Sequence, residues 1–156
     1  MLDLITNRTQ SDVDRARYLR NNYESLTAPE QLEYKNGPVI GEYRVTDLNR
    51  VGAAIVTLAT LINSYGYTVT VNAKTDWTEA DTAPRAAEMV TYLANIADVK
   101  AAFYGTQEIP STMANISHAD ANHIELLLKE VDTYITNMIA GFHYCGTRSC
   151  GQGAIL

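Results

Sequence analysis

The sequence is poor in cysteine, proline and clustered basic residues, and each shortage excludes a class of protein. Two cysteines and four prolines in 156 residues make neither a disulfide scaffold nor a proline-rich linker. Twelve Lys and Arg against 18 Asp and Glu give a net charge of −6, and only Arg15, Arg17 and Arg20 lie close together. Phosphate backbones and anionic lipids attract clustered bases, so we expect no nucleic acid and no membrane as partner.

Long hydrophobic runs are also missing. No apolar run approaches the ~18 residues of a membrane span. The first five residues contain Asp3 and lack the basic start of a signal peptide. We therefore expect a protein that is made and retained in a cytoplasm. Hydrophobic residues still make up 46% of the chain, which is enough for a core in one domain.

Start and stop signals predict a mainly α fold. Thr9 with Asp12, and Thr27 with Glu30, fit capping boxes at the starts of two short N-terminal helices. Thr46 is the expected cap of a third helix, which the sequence predicts to end before a glycine. The fifth helix is predicted to begin with another capping box, formed by two residues: Ser117 and Asp120.

Three longer helices are predicted over about 47–65, 84–104 and 118–142. The first and last repeat apolar residues at alternating intervals of three and four, the spacing of a helix-packing seam. Such seams bury their residues within a bundle or between chains. The packing or interface residues are Leu48, Val51, Ile55, Leu58, Ile62 and Tyr65 in one seam, and Ile124, Leu128, Val131, Ile135, Met138 and Phe142 in the other.

The predicted architecture is a bundle of three long helices plus two short N-terminal helices. Residues 67–72 alternate polar and apolar, which adds a small extended or hairpin element. We divide the chain into an N-terminal helical arm (1–44), a helical bundle core (45–144) and a Gly/Cys-containing terminal turn or hairpin (145–156).

The cysteines lie near the end of the chain, in His143-x-Cys145-x4-Cys150. A zinc site would need a fourth ligand, and the spacing departs from Cys-x2-Cys. We expect two free thiols in the cytoplasm, with a disulfide between Cys145 and Cys150 as the alternative outside it.

No other set of residues predicts a metal, a cofactor or catalysis. His118 and His123 are five residues apart and do not share a helical face. The acids in 76–81 suit the start of a helix better than a calcium loop. Trp77 is expected to plug the loop before the fourth helix. Ten tyrosines against two phenylalanines favour contact surfaces, so we expect an interaction protein rather than an enzyme.

Several phrases resemble small proteins encoded among the tail and baseplate genes of phages and prophages of Gram-positive bacteria. They are spread along most of the chain, from residue 5 to residue 151. The phrases are Ile-Thr-Asn-Arg-Thr-Gln-Ser-Asp-Val (5–13), Thr-Asp-Leu-Asn-Arg-Val (46–51), Lys-Thr-Asp-Trp-Thr (74–78), Ala-Asn-His-Ile-Glu (121–125), and Phe-His-Tyr-Cys-Gly (142–146) with Ser-Cys-Gly (149–151).

The resemblance implies a virion structural protein of the tail, baseplate or a fibre. Its partners would be further copies of itself and other virion proteins, after synthesis in the host bacterial cytoplasm. Two alternatives stay open: a small binding or regulatory module outside the particle, and a cell-wall hydrolase.

Overall fold

The computed structural model describes residues 2–37, 39–78, 86–103 and 105–146, with side chains up to Gly141. The described residues are mainly helical and contain no β-strand, which confirms the predicted α-bundle class. A single 3-10 turn, Tyr23–Ser25, links the first two helices. The α-helices are α1 (Gln10–Asn21), α2 (Ala28–Asn36), α3 (Val45–Ser64), α4 (Ala86–Ala102) and α5 (His118–Gly146).

The predicted caps of α1 and α5 are confirmed. The Asp12 carboxylate accepts hydrogen bonds from the backbone N–H and the hydroxyl of Thr9, both at 2.7 Å. Asp120 accepts the same pair from Ser117 at 3.0 and 2.6 Å. Each carboxylate satisfies a donor that the first turn of a helix leaves unpaired.

The cap of α2 is also confirmed, whereas that of α3 differs from the prediction. Glu30 accepts from the N–H and the hydroxyl of Thr27 at 3.1 and 2.8 Å. Thr46 does not cap α3, because the helix begins at Val45 and Arg44 is the capping residue. The reason is Asp47, whose carboxylate reaches back to the Arg44 N–H at 2.8 Å.

Helices α3, α4 and α5 contact one another and enclose one hydrophobic core. Tyr65 departs from its predicted seam, because α3 ends at Ser64 and the ring is 39% exposed. Met138 is half-buried, and the Phe142 side chain lies outside the described residues. The buried seam residues are Leu48, Val51, Ile55, Leu58, Ile62, Ile124, Leu128, Val131 and Ile135.

Helices α3 and α4 run in the same direction. Gly66, with a φ of +86°, ends α3 in a left-handed conformation that suits glycine. The chain then returns along α3 until Trp77 lies beside Asn49, near the start of that helix. At the other end, the Phe103 ring after α4 packs on Tyr67, with ring centroids 5.1 Å apart.

The expected hairpin element over 67–72 is not found. The backbone of the segment that returns along α3, residues 67–77, forms hydrogen bonds with asparagine side chains instead of with a second strand. The Asn63 side chain accepts from the Val69 N–H at 2.8 Å and donates to its carbonyl at 2.9 Å. Two further asparagines bind backbone pairs in the same way: Asn95 at Asn72 and Asn49 at Trp77. Each amide supplies the donor and acceptor that a neighbouring strand would have given. We call these contacts asparagine clamps.

By length and composition, α3 is the one described helix that could cross a membrane. Half of that stretch is buried inside the fold, as in the core helix of a bundle. The division at residues 44 and 144 stays a prediction, and residues 147–156 lie outside the described part of the chain.

A charge introduced at Leu58 should prevent folding. Leu58 is 0% exposed, so Leu58→Asp would bury an unpaired carboxylate in the core. We expect loss of the cooperative thermal transition in circular dichroism. The matched control is Val56→Asp on the same helix, where the side chain is 41% exposed and the melt should change little. Equal melting of both variants would contradict the packing described for α3.

The capping carboxylates predict a loss of stability in acid. Hydrogen bonds from the Ser117 hydroxyl and backbone N–H lower the pKa of Asp120, and Thr9 and Thr27 do the same for Asp12 and Glu30. A carboxyl with a lowered folded-state pKa binds fewer protons when folded, so its stabilisation is lost as pH falls from about 4 through the folded value.

The Asp120 contribution can be separated by substitution. Urea unfolding between pH 6 and 2.5 should show a shallower acid loss in Asp120→Asn than in the parent protein, because this cap no longer titrates. Ser117→Ala, which removes the hydroxyl donor, should shift the same way. Superimposable pH profiles for the three proteins would rule out this contribution.

Candidate functional site

Four charged side chains form a buried ionic cluster where the N-terminal segment meets α3 and α5. The Arg8 Nη2 atom lies 2.9 Å from Asp47 Oδ1 and 2.6 Å from Glu125 Oε1. Arg50 Nη2 lies 2.8 Å from Glu125 Oε1 and also contacts Asp47 Oδ1. The side chains of Arg8 and Glu125 are 2% and 0% exposed. Two positive and two negative groups thus neutralise one another away from water.

Further hydrogen bonds complete the surroundings of Glu125. Its Oε2 atom accepts from the Ile5 backbone N–H at 2.6 Å and from Arg50 Nε at 3.1 Å. Arg8 Nη1 in turn donates to the Ile5 carbonyl at 2.7 Å. A buried charge is tolerated only when its partners are in place, so these contacts offset the desolvation of the carboxylate.

The backbone of Arg8 is fixed separately by Asn122 of α5. The Arg8 N–H donates to Asn122 Oδ1 at 3.0 Å, and Asn122 Nδ2 donates to the Arg8 carbonyl at 2.9 Å. This is the fourth asparagine clamp. Residues 2–9 form neither helix nor strand, and we call them the N-terminal strap. Leu2 and Leu4 of the strap pack against the core, so it is bound by apolar, main-chain and ionic contacts.

Two tyrosines extend the cluster towards α4. The Arg8 guanidinium carbon lies 5.6 Å from the centre of the Tyr43 ring, within cation–π range. The Tyr43 and Tyr92 hydroxyls are 2.6 Å apart. Burial raises the pKa of both phenols, so both stay protonated at neutral pH. The network therefore joins the strap to all three core helices.

The seam pattern does not reveal this cluster. Glu125 follows Ile124 directly and is buried beside the seam, where the three-four spacing predicts nothing. All four charged residues and Asn122 lie within three of the phrases quoted from the sequence, 5–13, 46–51 and 121–125.

The remaining predicted sites stay apart or lie outside the described residues. The side chains of His143, Cys145 and Cys150 are not described, and neither are Glu79 and Asp81, so the thiol and disulfide alternatives stay open. In the described part of the chain, no three His, Cys, Asp or Glu side chains could hold a metal ion together.

Trp77 is 4% exposed and lies in the wall of a cavity of about 390 Å³ between the returning segment and α4. The Lys74 ammonium group lies 4.2 Å from the centre of its ring. The indole N–H is buried and has no hydrogen-bond partner within the described ranges. The ring thus packs beside α4 with Lys74 on one face, and the indole N–H takes no part in these contacts.

A search of protein-family models, of curated proteins and of solved structures finds no match to this chain. The function therefore has to be argued from the residues and their geometry.

Removing the charge of Glu125 should unfold the protein at much lower urea. Glu125→Gln keeps the shape but leaves two arginines without their shared carboxylate, and breaking a buried pair costs about 3–5 kcal/mol. Glu24→Gln, at an exposed site, is the control and should cost less than about 0.5 kcal/mol. A loss below about 1 kcal/mol for Glu125→Gln would show that the cluster contributes little to stability.

Proposed function

We propose that this chain is a structural protein of a phage particle, in the tail, baseplate or a fibre, and that it acts through protein–protein contacts. The observation that supports this proposal most is the position in the fold of the phrases that resemble phage tail and baseplate proteins. The segments 5–13, 46–51 and 121–125 meet in the ionic cluster, and 74–78 binds the start of α3 through Asn49. Phrases scattered along the sequence thus supply the contacts that hold this fold together.

A surface suited to subunit contact lies on the outer side of α4. Val90 is 68% exposed, the largest exposure among the exposed large hydrophobic residues of the described chain. Alanines extend it along the helix at the same three-four spacing as the core seams. The exposed residues of this outer face are Ala87, Val90, Ala94, Ala97 and Ala101.

The outer face of α4 favours another helix as its neighbour. Small side chains let two helices approach closely, and the three-four spacing is that of helices packed side by side. An apolar groove of about 470 Å³ adjoins it, lined by Met89, Leu93 and Met113 among others. We assign this surface to a second copy of the chain, in line with a protein present in many copies.

Self-association should depend on Val90. Light scattering of the purified protein should give a mass above the 17.2 kDa of one chain, and Val90→Glu should return it to that value while the protein keeps a cooperative melt. Leu32→Glu on α2, where the side chain is 59% exposed, is the matched control and should keep the larger mass. A monomeric parent protein would contradict the assignment of this surface.

The particle role is tested independently by mass spectrometry of purified virions. Many copies of this chain per particle are expected. Its absence from particles, with a complex in the host cytoplasm instead, would favour a small binding module outside the virion. Hydrolysis of peptidoglycan that one acidic substitution abolishes would favour a cell-wall hydrolase. Either result would overturn the structural role.

A further inference from the structure

The exposed side chains of α4 form a pattern that is symmetric about Ala94. Ala87 and Ala101 each lie seven residues from Ala94, and exposed positions also lie three and four residues away on both sides. From Ala87 to Ala101, the exposed residues are Ala87, Val90, Thr91, Ala94, Ala97, Asp98 and Ala101. A contact between two identical copies related by a two-fold axis has to match itself, and a symmetric set of positions meets that requirement.

Two residues of this set decide which direction of a second α4 fits. Val90 is its one large hydrophobic residue and is 68% exposed, and Asp98 is its one charged residue. The helix has 17 residues, which makes it about 25 Å long at 1.5 Å per residue. That length is enough for two copies to pack side by side over four turns.

An antiparallel pair, with a two-fold axis beside Ala94, places complementary residues opposite one another. At about 100° per residue, Val90 and Ala97 lie on one flank of the contact, and Thr91 and Asp98 lie on the other. The two-fold axis reverses the helix direction but keeps each flank on its own side, so Val90 of one copy faces Ala97 of the other. A large side chain then packs on a small one, and Asp98 faces a neutral threonine.

A parallel pair matches less well. It places Val90 beside Val90 and Ala97 beside Ala97, so the helices are crowded at one level and leave a gap at the other. It also brings the two Asp98 carboxylates to one level, where they repel each other. The antiparallel pair separates them by about 12 Å along the axis, which exceeds the screening length of about 8 Å at physiological salt. Charge and shape thus favour the same direction.

The apolar groove beside the outer face of α4 adds to the surface that a second helix would bury. Val90 is part of its lining, together with Met89, Leu93 and Met113. These three side chains are half-buried and pack against the core from the outside. A neighbouring helix that covers Val90 therefore also removes part of their remaining apolar surface from water, which stabilises the contact.

We propose that two copies of the chain associate through α4 as an antiparallel pair, with the two-fold axis beside Ala94. This orientation rests on the self-association assigned above to the outer face, and it adds the direction and the level at which the two helices meet. A contact of this kind is closed, so it joins two copies and no more. Growth of a larger assembly would need a second surface.

Disulfide cross-linking of single-cysteine variants tests the orientation. Cys145 and Cys150 are first replaced by Ser, so that the introduced thiol has no competitor. Under mild oxidation Ala94→Cys should form a covalent dimer, because its two thiols lie beside the axis. Ala87→Cys alone should not, since its two copies lie about 21 Å apart along the helices. An equimolar mixture of Ala87→Cys and Ala101→Cys should cross-link, because these positions face each other.

A charge placed opposite Asp98 gives a second measurement, which leaves the native cysteines in place. Thr91→Arg should tighten self-association at least threefold in sedimentation equilibrium, because its guanidinium meets Asp98 of the other copy. In an Asp98→Asn background the same substitution should give no such gain. Failure of Thr91→Arg to tighten the dimer, or an equal gain without the carboxylate, would contradict the antiparallel pair.

The cross-linking control is Leu32→Cys on α2, where the side chain is 59% exposed. Cross-linking of Ala94→Cys no faster than this control, or efficient cross-linking of Ala87→Cys with itself, would overturn the orientation. The second result would leave self-association through α4 intact, and with it the proposed function. Absence of the chain from virions would overturn that function and leave the cross-linking pattern unchanged, so the two proposals fail separately.

Discussion

The fold depends on how the buried carboxylate of Glu125 is compensated by hydrogen-bond donors. The Glu125 carboxylate of α5 has no exposed surface and has to be surrounded by donors. These come from two other parts of the chain: Ile5 and Arg8 in the strap, and Arg50 in α3. If the strap or α3 moved away from α5, a buried charge would be left without its partner. The cluster therefore makes the strap, α3 and α5 one cooperative unit, and the two buried tyrosines link that unit to α4.

The asparagine clamps satisfy a second set of buried polar groups, those of the backbone. Because α3 and α4 run in one direction, the chain must travel back along the bundle, and its polar backbone then lies against buried helices. Asn49, Asn63 and Asn95 bind that backbone, and Asn122 does so for the strap. The donor and acceptor of one side-chain amide match those of one peptide unit, so no second strand is needed.

The sequence predicts the local structure well and the long-range polar contacts poorly. The caps at Thr9, Thr27 and Ser117 follow from residue types within one turn, and the three-four spacing indicates which faces of α3 and α5 are apolar. The ionic cluster joins residues more than 100 positions apart, which no spacing rule connects. The alternation at 67–72 predicts an extended or hairpin element because it reports one buried side of the segment and not the partner of its backbone. Both misses have one cause, since the spacing of apolar residues reports which side is buried and cannot say which polar groups pair with one another.

The central claim is that Arg8 and Glu125 stabilise the fold together rather than separately. The most direct measurement is a double-mutant cycle in urea with Arg8→Leu, Glu125→Leu and the double variant. Removing either partner alone leaves the other charge buried, whereas removing both does not, so the two losses should be strongly non-additive, with a coupling of about 2 kcal/mol or more. Losses that add to within about 0.5 kcal/mol would show that the two residues act independently and would contradict the account.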